Sequence, residues 1–371
     1  MDTGEEIARS ELGFGSNESI TQPGLTAGTY FIQVYRYSGS TNYTLTVSAS
    51  ESTLPTGYSS VYGYGLVNAA DAVSEAIGQS SFAEVADLGG NSWNLDQINA
   101  PEVWAQGYTG QGVVVAVVDT GVDYTHPDLD ANIWVNSDEI AGNGIDDDSN
   151  GYIDDLRGWD FVGSDHDPMD LDSHGTHVAG TIAAENNGTG TTGVAYSAQI
   201  MPVRVLDETG SGTSKNVAAG IRYAADNGAD IINLSLGGDY SSDMAAAVEY
   251  ATAKGSLVVM AAGNEYTSQT SFPASLANQW GIAVGAVDRN QTLASFSNRA
   301  GASVLNYIVA PGVTITSTTP GSTYQNYNGT SMATPHVSGV AALILSANPT
   351  LTPSQVTNLL TTTADPLKTT A

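Results

Sequence analysis

From Trp93 onward, short and largely apolar runs alternate with longer segments that read as helices. The runs Val113–Val118, Ile200–Val205, Ile231–Ser235, Leu257–Ala261, Ile282–Val287 and Asn306–Ala310 predict buried strands. Helices are expected near His174–Glu185, Ser214–Asn227, Asp243–Lys254, Ser331–Ala347 and Pro353–Thr361. Such alternation predicts an α/β fold, a mostly parallel sheet with helices on both faces. In these sheets chemistry gathers at the carboxyl ends of the strands.

The first part of the chain follows a different pattern. Thr29–Tyr37 and Tyr43–Val47 are rich in β-branched and aromatic residues, and Ser38–Asn42 between them suits a hairpin turn. Three regions are therefore expected: a partial β domain over 1–50, a linker over 51–90, and an α/β domain over 91–371. Within the linker, Tyr62-Gly63-Tyr64-Gly65-Leu66-Val67-Asn68-Ala69 is a glycine-rich turn leading into a helix.

The net charge is −29, from 39 acidic and 10 basic side chains. This argues against a nucleic-acid partner, whose phosphates would be repelled. The acids crowd into Asp123–Asp172, where Arg157 is the only lysine or arginine. A solvated acidic surface and a cation-binding region are both open readings. No cysteine is present, which excludes disulfides and thiol catalysis. No apolar run is long enough to span a membrane. No basic start followed by an apolar stretch marks a signal peptide in residues 1–20.

Four motifs carry candidate chemistry. In Val117-Val118-Asp119-Thr120-Gly121 an apolar strand ends in a carboxylate, which could hold a histidine in one tautomer. An aspartic-protease reading needs a second such site, and Asp2-Thr3-Gly4 follows no apolar strand. Ser173-His174-Gly175-Thr176-His177 places His174 at the start of a helix, with His177 about a turn later and suited to a structural role. Gly329-Thr330-Ser331-Met332-Ala333 sets Ser331 at a helix N-terminus, where a serine can be a cap or a nucleophile served by free N–H groups. Asn264, in Ala261-Ala262-Gly263-Asn264-Glu265, can be a turn former or an oxyanion donor.

Taken in order, Asp119-Thr120-Gly121, His174-Gly175-Thr176-His177, Ala262-Gly263-Asn264 and Gly329-Thr330-Ser331-Met332-Ala333 resemble the signatures of subtilisin-like serine proteases, the subtilases. The resemblance runs from about Trp93 to Thr361. It implies that His174 takes the proton of Ser331, that Asp119 orients the imidazole, and that Asn264 stabilises the oxyanion. It further implies that Ser235, Leu236 and Gly237 form one wall of the S1 pocket, with Ala261, Ala262 and Gly263 opposite. That lining favours large apolar P1 side chains, and Glu265 at the rim would admit Lys or Arg. Phe272-Pro273 resembles a position that often carries a cis peptide bond.

Calcium is the expected cofactor. The loop Asp146, Asp148, Asn150, Gly151 matches the start of an EF-hand, with Tyr152 following, but Arg157 stands where a bidentate glutamate belongs. Asp154 or Asp155 could close such a site. By resemblance, Asp128 with the Glu185–Thr191 loop is a second site, with Asn187 ligating by side chain and Glu185, Thr189 and Thr191 by carbonyls. Asp165, Asp167, Asp170 and Asp172 could form a third.

Thr29-Tyr30 and the Tyr37–Leu45 stretch resemble half of a prepeptidase C-terminal domain, found with secreted bacterial peptidases, so a secreted or periplasmic location and a start inside a domain are expected. Tyr62–Ala69 is similar to the segment that normally follows the last subtilase motif, so residues 58–78 are expected to dock as a permuted terminal element or to serve as a linker. The implied partners are protein or peptide substrates of a monomer. A calcium-binding scaffold without catalysis and an acyl-transfer hydrolase such as an esterase stay open as alternatives.

Overall fold

Strands β1 (Val114–Asp119), β2 (Trp159–Asp160), β3 (Gln199–Arg204), β4 (Ile231–Leu234), β5 (Leu257–Ala261), β6 (Ile282–Val287) and β7 (Tyr307–Pro311) form a parallel sheet in the order β2-β3-β1-β4-β5-β6-β7. This computed structural model describes residues 54–55 and 57–367. The partial β domain expected within 1–50 lies outside the described residues. Strands β4 to β7 are buried along their whole length, as strands covered on both faces must be.

The helices are α1 (Ala69–Ala76), α2 (Trp93–Gln97), α3 (Ala100–Trp104), α4 (His174–Ala183), α5 (Ser214–Asp226), α6 (Ser242–Lys254), α7 (Thr330–Ala347) and α8 (Pro353–Thr362). Helices α5 and α6 pack together against β1, β3, β4 and β5, while α7 lies across β4 to β7 and meets α4, α1 and α8. Local signals set the helix ends. Thr213 and Ser241 cap α5 and α6 by accepting the Asn216 and Met244 N–H groups, and α6 stops at Gly255 with φ 105°.

Two elements depart from the apolar-run pattern. Strand β2 is only two residues long. The hairpin β8 (Ile315–Thr319) and β9 (Thr323–Tyr327) is rich in serine and threonine, yet most of β8 is buried. Two of its hydroxyls are satisfied by α4, Ser317 Oγ donating to the His177 carbonyl at 2.7 Å and Thr318 Oγ1 to that of Thr176 at 2.8 Å, while Thr316 and Thr319 bond across to Asn326 and Thr323 of β9.

Residues 58–77 lie on the β7 edge of the sheet. Tyr64 and Val67 N–H groups donate to the Tyr307 and Val309 carbonyls at 2.9 and 3.0 Å, and Leu66 exchanges two bonds with Asp365. A Cβ at Gly63 would strike the Tyr307 carbonyl and one at Gly65 the Asp365 carbonyl, so only glycine permits this approach. Helix α1 then packs on α7, and Asn348 Nδ2 holds the Ala76 carbonyl at 3.0 Å.

From β1 the chain passes to β2 and β3 on one side, then crosses to β4 and on to β5, β6 and β7 on the other. The switch point is therefore the crevice beyond the carboxyl ends of β1 and β4, where such sheets bind ligands. Asp119 ends β1, and Ser235 follows β4 directly.

Candidate active site

The β1 end and the α4 start are drawn together by small residues and threonines. A Cβ on Gly175 would collide with the Gly121 carbonyl and sit 3.2 Å from the Asp119 Cβ. Thr120 Oγ1 accepts the Gly175 N–H at 2.9 Å and donates to Asp170 at 2.9 Å. The Asp170 carboxylate also takes the N–H and hydroxyl of Thr176, at 2.9 and 2.6 Å, and the N–H of Ser173 at 3.0 Å. Ser173 has φ 134°, a strained value for a non-glycine residue, directly before His174. Its hydroxyl is pinned to Tyr327 Oη at 2.8 Å.

This frame delivers His174 to Asp119. His174 Nδ1 lies 2.7 Å from Asp119 Oδ1, which also accepts the Thr120 N–H at 2.7 Å. The carboxylate is fully buried, whereas the imidazole is 27% exposed. Burial pulls the His174 pKa down, but the Asp119 charge and hydrogen bond outweigh it and hold the pKa above the ordinary value, with help from Asp172 and Asp170. His177 behaves differently. It is buried, stacked 4.4 Å from the Tyr327 ring, and bonded to the Ile315 and Gln325 carbonyls. Burial pulls its pKa down to about 4, which suits a structural residue.

Ser331 occupies the first turn of α7. Its hydroxyl donates to the Ser235 carbonyl at 3.0 Å, and among the described residues it makes no hydrogen bond with His174. Asn264 Oδ1 accepts both the N–H and the hydroxyl of Thr330, at 2.9 and 3.0 Å. Since a backbone N–H can only donate, this fixes the amide orientation and leaves Nδ2 facing outward. A Cβ on Gly329 would lie 3.8 Å from that Nδ2 and 3.5 Å from the Ser331 nitrogen, so both donors look into the space that glycine keeps open. The arrangement offers a histidine–carboxylate pair, a hydroxyl, and two donors at a helix N-terminus, the parts needed for acyl transfer.

The Subtilase family profile matches residues 110–371. The chain belongs to the subtilase family. The "Thermophilic serine proteinase" of Bacillus sp. (strain AK1) is 51% identical over 237 residues, which are 63% of this chain and 52% of that protein. "Subtilisin E" of Bacillus subtilis (strain 168) is 46% identical over 278 residues, 73% of this chain and 65% of that protein. The chain thus spans roughly half to two thirds of these two relatives. "Subtilisin" of Bacillus pumilus is 46% identical over 278 residues, covering 90% of that protein. A solved structure titled as a cold adapted subtilisin-like serine proteinase aligns with TM-score 0.59 and 35% identity, over 73% of this chain and 90% of its own.

The expected substrate-binding segments of this subtilase meet at the α7 start. Ser235 touches Ser331, and the Gly263 N–H donates to Thr330 Oγ1 at 3.2 Å. Gly238 pairs with Phe272, and the Phe272–Pro273 peptide is cis. Glu265 is exposed, with its carboxylate held by Asn298 Nδ2 at 2.6 Å and Ser271 Oγ at 3.0 Å. Burial pushes its pKa up, but these bonds prevail and keep it below the ordinary range. The wholly buried Asn298 was not apparent from sequence, since an asparagine in a loop gives no signal of its contacts.

The acidic loop differs in part from the EF-hand expectation. Glu139, Asp148 and Asp155 bring carboxylate oxygens within 4.8 Å of one another. Asp146 instead caps Asn150 and Gly151, and Asp154 caps Asn143 and Gly144, so both carboxylates fold the loop through backbone N–H groups. Asn150 donates to Asp148 and Asp155, and the Tyr152 ring packs on Trp159, Phe161 and Tyr223. Three hard oxygen donors this close suit a divalent cation, whose charge would offset their repulsion. Glu139 escaped the sequence reading because it precedes the loop and no spacing rule connects it.

At the second expected site, Asp128 Oδ1 takes Asn187 Nδ2 at 3.0 Å and Oδ2 takes the Thr191 N–H at 3.0 Å. Asn187 Oδ1 faces Thr189, and the Glu185 carboxylate accepts the Ala131 N–H at 3.0 Å. The loop is thus wrapped on Asp128, and a cation there requires the Asn187 amide to turn over. The third expected site does not assemble. Among the described residues, Glu139, Asp148 and Asp155 are the one acidic group whose ligand oxygens converge, and Asp165, Asp167, Asp170 and Asp172 do not.

Proposed function

We propose that this chain is a calcium-stabilised serine endopeptidase. The observation that carries the reading is the buried Asp119 carboxylate 2.7 Å from His174 Nδ1, in a crevice shared with Ser331 and Asn264. Asp119 fixes the proton on Nδ1, which leaves Nε2 free to act as base. Ser331 turns from the Ser235 carbonyl toward Nε2 and attacks the peptide carbonyl. The proton passes to His174 and then to the leaving amine. Water repeats the sequence in reverse to release the acid. The developing oxyanion is met by Asn264 Nδ2 and the Ser331 N–H, preorganised donors that need no rearrangement at the moment of reaction.

Extended substrate lies along Ser235–Gly237, opposite Ala261–Gly263. P1 preference is broad, and Lys and Arg are accepted because the Glu265 carboxylate stays ionised. Glu139, Asp148 and Asp155 would hold one calcium, and Asp128 with Asn187 and the Glu185, Thr189 and Thr191 carbonyls a second. Calcium supplies charge neutralisation and loop rigidity there, not reaction chemistry. Residues 58–78 are read as a terminal element in permuted order, and the protein as a secreted monomer. No helix among the described residues is long and apolar enough to cross a membrane.

A fluorophosphonate probe should modify Ser331 stoichiometrically, and Ser331→Ala should abolish both labelling and peptide hydrolysis. Turnover of esters without turnover of any peptide would replace this reading with that of an esterase. Calcium binding without labelling would favour the scaffold.

A further inference from the structure

Pro335 lies inside α7 and has no N–H, so the Ser331 carbonyl four residues earlier loses its helical partner. That carbonyl is taken instead by Ser235 Oγ at 2.8 Å. Ser235 and Ser331 are therefore doubly tied, because the Ser331 hydroxyl donates to the Ser235 carbonyl at 3.0 Å. The Ser235 hydroxyl has one proton and uses it on Ser331. Its oxygen must then accept, and Asn233 Nδ2 donates to it at 2.9 Å. This sets the Asn233 amide with Oδ1 pointing the other way, where Ser338 Oγ donates at 2.8 Å.

The result is a one-directional chain of hydrogen bonds, Ser338 to Asn233 to Ser235 to the Ser331 carbonyl. Asn233 and Ser338 are wholly buried and Ser235 is 3% exposed. A buried amide in the middle of an apolar strand is costly unless each of its groups is paired. None of these side-chain atoms is left unsatisfied.

We propose that Asn233 and Ser338 are positioning residues for the nucleophile. They act through Ser235, fixing the direction of its hydroxyl and so the seat of Ser331 in the first turn of α7. This rests on the peptidase reading above. Without the Ser338 hydroxyl, Asn233 Oδ1 loses its donor and the amide is free to turn over. Its oxygen then draws the Ser235 proton away from Ser331. Asn233→Asp imposes the same reversal at nearly unchanged volume, because a carboxylate accepts from both neighbours.

The test measures kcat and KM on a peptide substrate, the fluorophosphonate labelling rate, and melting for the wild type, Ser338→Ala, Asn233→Asp, Ser235→Ala and the double variant Ser235→Ala/Ser338→Ala. Ser338→Ala should lower kcat and the labelling rate about tenfold with KM changed less than about twofold, as expected for a misplaced reacting group. In the Ser235→Ala background the same change should cost less than about twofold, since the path to Ser331 is already cut. Full kcat in Ser338→Ala, or an equal loss with and without the Ser235 hydroxyl, would overturn the proposal while leaving the peptidase intact. A wild-type protein that neither labels nor cleaves peptides removes both. If Ser338→Ala does not fold, Asn233→Asp gives the deciding kcat: a loss supports the chain of bonds and wild-type kcat refutes it.

Discussion

Replacing Asn94 with aspartate should turn His336 from an imidazole that stays neutral into one that titrates near neutral pH. His336 sits wholly buried in α7, with Nδ1 2.8 Å from the Met332 carbonyl and Nε2 2.8 Å from Asn94 Nδ2. A carbonyl can only accept, so the proton is on Nδ1 and Nε2 accepts from Asn94. Burial, far more than its neighbours, pulls the pKa from 6.5 to about 4. The sign follows from linkage. Between those values the unfolded chain binds the proton and the folded one does not. Stability is therefore full above 6.5 and is lost as pH falls toward about 4. For this group the loss is about 2 kcal/mol at pH 5 and about 3 kcal/mol at most. His177, also lowered to about 4, adds a similar loss.

Buried Asp155 and Asp170 and half-buried Asp230 and Asp365 have raised pKa values and act in the opposite sense just above 3.8, where protonation favours the folded state. A denaturation curve mixes all these groups. Histidine-selective ¹⁵N NMR on Ser331→Ala protein, which cannot digest itself, follows each of the five histidines separately, and the signals lost in His336→Gln assign His336. The native ring should show the Nδ1–H tautomer and no titration from pH 7.5 to 5. In Asn94→Asp the new carboxylate should raise its pKa by about 1–3 units. A native His336 that titrates near 6.5, or one indifferent to Asn94→Asp, refutes the reasoning.

Asn264→Ala should lower kcat and also lower the melting temperature, because the buried Thr330 N–H and hydroxyl lose their acceptor. The size expected, about 10²–10³-fold, is the known loss for the equivalent asparagine of subtilisin itself rather than a value worked from this structure. Activity should fall with decreasing pH through a His174 pKa above 6.5, because the base must be neutral, and Asp119→Asn should move that limb downward. The same raised pKa contributes stability that is full below 6.5 and lost as pH rises through it. Excess chelator should lower both activity and melting temperature. Removing calcium held at 100 times its Kd costs about 2.7 kcal/mol, or roughly 3–5 °C for a chain of 371 residues. Glu139→Gln should abolish much of that difference, and calorimetry with calcium added back checks it. Limited proteolysis should cut within the exposed, irregular Ala83–Leu88 stretch, and the two pieces should co-elute until denaturant is added. Separation under native conditions would show that residues 58–77 do not hold to the sheet.

Six of the seven main-sheet strands could be read directly because a parallel strand covered on both faces must be apolar throughout. Asp119 and His174 were legible for a related reason: each is a polar residue at a boundary where an apolar element ends or a helix begins. The β8–β9 hairpin was not, since the buried hydroxyls of Ser317 and Thr318 are satisfied by α4 carbonyls that are distant in sequence. Glu139 reaches Asp148 and Asp155 through loop closure, not through a fixed spacing. Asn233 and Ser338 each stand alone in apolar surroundings and read as minor core residues, because a hydrogen-bond chain between β4 and α7 leaves no periodic trace.

Helix α7 shows why these separate losses have one origin. Its N-terminus presents Ser331, its internal proline frees a carbonyl that Ser235 takes, and its histidine and serine at 336 and 338 are held by Asn94 and Asn233. Beyond its last turn, Asn348 holds the Ala76 carbonyl. A helix interrupted by proline and carrying polar groups would be a poor core element in isolation. Thr334 and Ser346 bond to carbonyls of α7 itself, whereas Thr330, Ser331, His336 Nε2 and Ser338 find partners from other parts of the chain, including the segment before β1. The serine is therefore seated by long-range bonds from three directions, and the motif around it specifies only what those bonds must hold.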